Sequence, residues 1–189
     1  MTNLYASLLA VMTLLTLGAC TPTPSVDQDS IDLLALEIRR LGPDVAAEEA
    51  ERAAQIAYTY SRHLAQEYRV TDPPLIHNAK VINGTRERGL CNDYAEDMEI
   101  RLKQERFRTL SVHRAIAPPT TFRIIHHSAI ISQRGDTMYE GIVLDPWRFG
   151  GALYWTHPEE DPRYNWRPRM EVREELIKAR NEREAAVSG

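Results

Sequence analysis

The strongest constraint on the fold is an order: helical spacing comes first and β-branched alternation follows. Apolar residues recur every three or four positions at Ile31, Leu34, Ile38 and Leu41, and again at Ala46, Ala50, Ala53, Ala57, Tyr60, Leu64 and Tyr68. That spacing lays one apolar stripe along each of two helices, over 31–41 and 45–68. Ser30 and Asp44 are suitable N-caps, and Gly42-Pro43 ends the first helix. Asp72-Pro73-Pro74 breaks the pattern, and 75–84, with a turn signal at Asn83-Gly84, reads as an irregular approach to Cys91. A third helix is expected over 90–106, with Tyr94, Ala95, Met98 and Leu102 on one side. The period then changes. Strands are expected over 109–116, 121–132 and 137–144, separated by Pro118-Pro119 and by a hairpin signal at Arg134-Gly135-Asp136. The stretch 146–169, rich in Pro, Trp and Tyr, reads as a wrapping segment, and a charged helix over 170–185 comes after it. Helices first and antiparallel strands second make an α+β layout, the cysteine-bearing third helix packing with the others on a small antiparallel sheet. At 189 residues and 43% hydrophobic content the chain can build one substantial core, expected over 30–189. The formal charge of -4 carries no footprint for nucleic acid.

The first residues are read apart from this domain. Positions 4–17 are mostly apolar, too few to cross a bilayer at roughly 20 residues per span. Leu17-Gly18-Ala19-Cys20 comes next, and then Thr21-Pro22-Thr23-Pro24-Ser25. This resembles a bacterial lipoprotein signal, with 1–19 removed and lipid attached to the sulfur of Cys20. Export signals usually begin with positive charge, and no Lys or Arg precedes this apolar run; an ordinary cleaved signal or an uncleaved anchor is the other reading. On the lipoprotein reading, 20–29 is a lipidated tether reaching at most about 30 Å from the bilayer. The protein would then be lipid-anchored in the cell envelope on the periplasmic face, and Thr21 rather than an acid after the cysteine resembles enteric lipoproteins, which implies sorting to the outer membrane.

Cys91 carries the chemistry. With Cys20 lipidated it is the only free thiol, so it is half of no intramolecular disulfide, and its spacing suits no zinc site. An unpaired cysteine is more often inert packing. Here, however, Gly89-Leu90-Cys91 opens a run of helix formers, and backbone N–H groups at a helix N-terminus favour a thiolate there. A nucleophilic cysteine needs an imidazole to move its proton and a group to orient that imidazole. Downstream lie Ile125-His126-His127-Ser128-Ala129-Ile130-Ile131 and Val143-Leu144-Asp145-Pro146-Trp147. A hairpin centred near 135–136 sets residue 127 opposite a residue close to 144–145. Adjacent strand residues face opposite sides, so only one histidine can serve. His127, which shares a face with Ile125, Ala129 and Ile131, is the expected one, and His126 is the alternative. Asp145 is the expected orienting carboxylate, although Asp-Pro also starts turns at strand ends. Asn78 is a candidate oxyanion donor or else a turn former. Trp147, Arg148 and Tyr154 are candidates for lining a cleft or for packing, and Asp93 and Asp97 read as a solvated face. The histidines show no metal-ligand spacing, and no cofactor is implied.

Gly89-Leu90-Cys91-Asn92-Asp93-Tyr94-Ala95, His127-Ser128-Ala129-Ile130-Ile131 and Leu144-Asp145-Pro146-Trp147 together resemble the transglutaminase-like (papain-like) cysteine peptidase superfamily, over roughly 78–151. The resemblance implies a transglutaminase-like fold in which Cys91 is nucleophile, His127 general acid and base, and Asp145 orienter. It implies a hydrolase of amide or isopeptide bonds in a protein or peptide substrate, acting through a thioester, with cross-linking as the less expected outcome. The other reading is a noncatalytic envelope lipoprotein that uses the same fold as a binding or assembly module.

Overall fold

In the computed structural model, residues 27–188 are described. The signal, Cys20 and most of the tether lie outside them. The described chain is α+β: α1 (Gln28–Arg39), α2 (Ala47–Glu67), α3 (Pro74–Ile82), α4 (Cys91–Gln104), then β1 (Leu110–Ala117), β2 (His126–Gln133), β3 (Ile142–Phe149), β4 (Ala152–Thr156), β5 (Arg167–Pro168) and α5 (Arg169–Ser188). The strands form one antiparallel sheet in the order β4-β3-β2-β1-β5.

The alanine stripe of α2 explains how the layers meet. Ala50, Ala53, Ala54 and Ala57 let α2 lie close to Leu34 and Ile38 of α1, in one core with Met98 and Leu102 of α4 and with Ala129, Ile131, Ile142 and Leu144 of the sheet. The opposite sheet face presents Ala115, Ala117, Ile130 and Val143 to Met138 and Trp166. Helices thus cover one face and the wrapping segment covers the other. Both faces being covered, β3 is buried along all but its last residue rather than on alternate residues. Glu49 ties the layers together from within: its carboxylate accepts the backbone N–H groups of Arg108 and Thr109 at 2.8 Å each. Burial alone would raise its pKa, but these bonds and one from the Thr109 hydroxyl hold it below the usual range.

Besides β2, which begins at His126 rather than near 121, and the stretch read as a wrapping segment, which holds the end of β3 together with β4 and β5, two stretches differ from the sequence expectation. Residues 74–82, read as irregular, form α3, with Pro74 in its first turn. Proline lacks an N–H that would be unpaired there anyway, and its φ is preset for helix, so the proline pair starts an element as well as ending one. The second difference is the β2–β3 connection. Met138–Glu140 forms a 3-10 turn, capped by Thr137 and Glu140, so β3 begins at Ile142 rather than near 137. The ladder then sets Ile131 opposite Ile142 and Ala129 opposite Leu144.

Candidate active site

The loop that delivers Cys91 is held from several sides. Gly89 has φ +121, and a Cβ there would run into the His77 imidazole, so no other residue fits. His77 lies with Nε2 3.0 Å from the carbonyl oxygen of Arg88. Asp93, in the first turn of α4, accepts the N–H groups of Gly89 and Leu90 at 2.9 Å each. Asp97 accepts the Tyr68 hydroxyl and an Arg88 guanidinium N–H at 3.0 Å. These two acids are therefore ties on the approach to the helix and not a solvated face. Arg114 on β1 braces the same turn, donating to the carbonyl and side-chain oxygens of Asn92 at 2.8 and 3.0 Å and to Glu99 at 3.0 Å. The free thiol of Cys91 is buried among Leu64, Tyr68, Tyr94 and Trp147. Its sulfur lies 3.8 Å from the carbonyl oxygen of Ile125, just before β2 begins.

The imidazole brought to this point is that of His126. Its Nε2 lies 2.7 Å from Oδ2 of Asp145, and both side chains are fully buried. With Nε2 engaged, Nδ1 has no hydrogen-bond partner, while the ring interacts electrostatically with the Cys91 thiol. Burial pushes the His126 pKa down, but the charge and hydrogen bond of Asp145, with a further contribution from Cys91, outweigh it and raise the value to about 9. His127 behaves in the opposite way. Burial, then the charges of Arg114, His126 and Arg169, lower it to about 4. The structure thus brings His126, not the expected His127, to Cys91 and Asp145. The reason is register. The 3-10 turn between the strands puts 128, rather than 127, in line with Asp145 as the ladder continues, and a shift of one residue exchanges the two faces of a strand. The apolar neighbours that recommended His127, Ala129 and Ile131, mark the face beneath the helices.

Compared with known protein families, curated proteins and solved structures, the chain matches none. What the site can do rests on its own geometry.

Asp145 is held from behind by a residue whose supporting role is not evident from the sequence. Arg148 donates Nε–H to Oδ2 of Asp145 at 2.9 Å and its backbone N–H to Oδ1 at 3.1 Å. The other end of its guanidinium donates to both oxygens of Asp161, at 3.2 and 2.5 Å. Asp161 in turn accepts the Trp166 indole N–H at 2.9 Å and the backbone N–H of Arg163 at 2.9 Å. Arg148 is buried between the Tyr154 and Tyr164 rings, 3.9 and 4.8 Å from their centroids. Burial pushes the guanidinium pKa down, and the two carboxylates outweigh it. The sequence offers one clue, an aspartate and an arginine three residues apart. In a regular strand such a pair would face opposite sides; the register shift between Asp145 and Phe149 turns Arg148 back.

Asn78 accepts the Trp147 indole N–H on Oδ1 at 3.1 Å. Since that N–H can only donate, it fixes which end of the amide is which. The amide Nδ2 makes no hydrogen bond among the described residues. Trp147 and Tyr164 close over the imidazole of His126, with centroids 4.8 and 4.4 Å away. Among the described residues no cluster of His, Cys, Asp or Glu could hold a metal ion, and no helix is long and apolar enough to cross a membrane.

Proposed function

We propose that the chain is an envelope-anchored cysteine hydrolase of transglutaminase-like fold that cleaves amide or isopeptide bonds through a thioester, with Cys91, His126 and Asp145 as its triad. One observation carries this reading: an imidazole held by a buried carboxylate on one nitrogen keeps its other nitrogen unbonded beside the only described thiol. His126 donates Nε2–H to Asp145 and takes the proton of the Cys91 thiol on Nδ1, and its pKa of about 9 holds that proton on the imidazole at neutral pH. The thiolate so formed attacks the substrate carbonyl. When the C–N bond breaks, the Nδ1 proton goes to the leaving amine and a thioester is left. Water activated by the same nitrogen then releases the acid and restores the thiol. The backbone N–H of Cys91, with the Nδ2 of Asn78 as the second candidate donor, would serve the tetrahedral oxyanion. Arg148 keeps a positive charge against Asp145, so the orienting group accepts from His126 throughout. Lipid on Cys20 would hold this site at the periplasmic face of the envelope, at the outer membrane.

Thiol alkylation by iodoacetamide tests the reading without knowledge of the substrate. At pH 7, Cys91 labelling should slow by about tenfold or more in His126→Ala and change little in His127→Ala. Equal rates in both variants would remove the activated nucleophile, leaving a noncatalytic module.

A further inference from the structure

A concave hollow of about 340 Å³ opens between Pro73–Leu75, Phe122–Ile124 and the aromatic residues Trp147 and Tyr164. Trp147 and Tyr164 line it, and these are the same two rings that close over His126. A group seated in the hollow would therefore rest against rings that also contact the imidazole. Leu75 and Phe122 also line it, and both are exposed, at 63% and 94%. Large apolar surface of this kind is stabilised when a ligand covers it, by about 25 cal/mol per Å². The volume is at the small end of ligand sites, enough for one or two side chains.

The charge around the hollow is of one sign. Arg123, Arg148 and Arg163 line it, and no carboxylate does. Arg148 is engaged by Asp145 and Asp161, but Arg123 and Arg163 pair with no carboxylate among the described residues. Arg123 is nonetheless held in position: it donates to the carbonyl of Arg163 and lies 6.0 Å from the Tyr164 ring centroid. In a chain of net charge -4, an apolar hollow ringed only by arginines is a local reversal of sign.

Taking the hydrolase reading of Cys91 as given, we propose that this hollow is its substrate subsite, and that the substrate class is an acidic peptide segment carrying a large apolar side chain. The side chain enters between Phe122, Leu75 and Trp147, and flanking carboxylates meet Arg123 and Arg163. The peptide is thereby laid across the entrance to the thiol, since the residue after Ile124, Ile125, carries the carbonyl against which Cys91 rests.

Binding to the Cys91→Ala protein tests this apart from any chemistry. The probes are a fluorescein-labelled peptide with Phe-Leu between glutamates, its counterpart with lysines for the glutamates, and vesicles of phosphatidylglycerol. Fluorescence anisotropy should show the glutamate peptide binding at least about tenfold more tightly than the lysine peptide. The double variant Arg123→Glu, Arg163→Glu should invert that preference, and Phe122→Ala should weaken binding severalfold. No binding of the glutamate peptide, equal affinity for the two peptides, or a preference that survives the double charge reversal would overturn the proposal. So would vesicle binding with no discrimination between peptides, which would make the hollow a membrane-contact surface. Selective binding by Cys91→Ala together with an inert wild-type thiol would instead reject the hydrolase reading and leave the subsite standing.

Discussion

His126 and His127 are neighbours on one strand, and their surroundings drive them in opposite directions. His126 turns to the sheet face closed by the wrapping segment, where it meets a carboxylate backed by a buried arginine. His127 turns to the face beneath the helices, where Arg114 and Arg169 add positive charge to the effect of burial. One ring is held protonated well above neutrality and the other is held neutral well below it. The difference shows that burial alone does not decide how a buried histidine titrates. The sign of the nearest charge does.

The comparison breaks most severely at Asp145. Replacing it by alanine leaves His126 and Arg148 buried without their shared counter-charge, and should destabilise the fold by about 3–5 kcal/mol in urea unfolding. Asp145→Ala should also take the His126 titration below its ordinary value, while His127, relieved of the charge of His126 but still facing burial and Arg114, stays below its own. A smaller effect is expected at Gly89, which touches neither histidine. Gly89→Ala forces a side chain into a left-handed backbone and against His77, and should lower the unfolding free energy by about 1–3 kcal/mol. It should also slow Cys91 alkylation by moving the thiol away from His126. The smallest effect at neutral pH belongs to His127. The unfolded chain protonates it near 6.5 and the folded chain only near 4, so stability is lost as pH falls through that window. His127→Gln should remove roughly one proton from the pH slope there, about 1.4 kcal/mol per pH unit, as measured by denaturation at several pH values. His126 has the opposite sign. Its raised folded value contributes stability that is fully present below about 6.5 and is lost as pH rises through about 9.

Much of this arrangement is legible in the residues. The switch from three- and four-residue spacing to β-branched runs separates helices from strands, and Gly89 ahead of Cys91 marks the start of α4. The strand-borne histidine pair and Asp145 also stand out. Which histidine serves is not legible, because parity depends on the length of the β2–β3 connection, and the 3-10 turn at Met138–Glu140 has no strong local signature beyond its Thr137 cap. The part that Arg148 and Asp161 play in supporting Asp145 is hidden for a related reason. Their link to Asp145 needs both a register shift in β3 and a loop that returns across the sheet. Helix α3 is missed because a proline pair is compatible with either the end or the beginning of a helix.

The central claim is that His126 is the imidazole shared by Asp145 and Cys91. It is tested most directly by a residue-resolved NMR titration of the two histidine rings, assigned with His126→Gln and His127→Gln. The expected midpoints are near 9 for His126 and near 4 for His127. Exchanged midpoints, or two ordinary ones near 6.5, would contradict it.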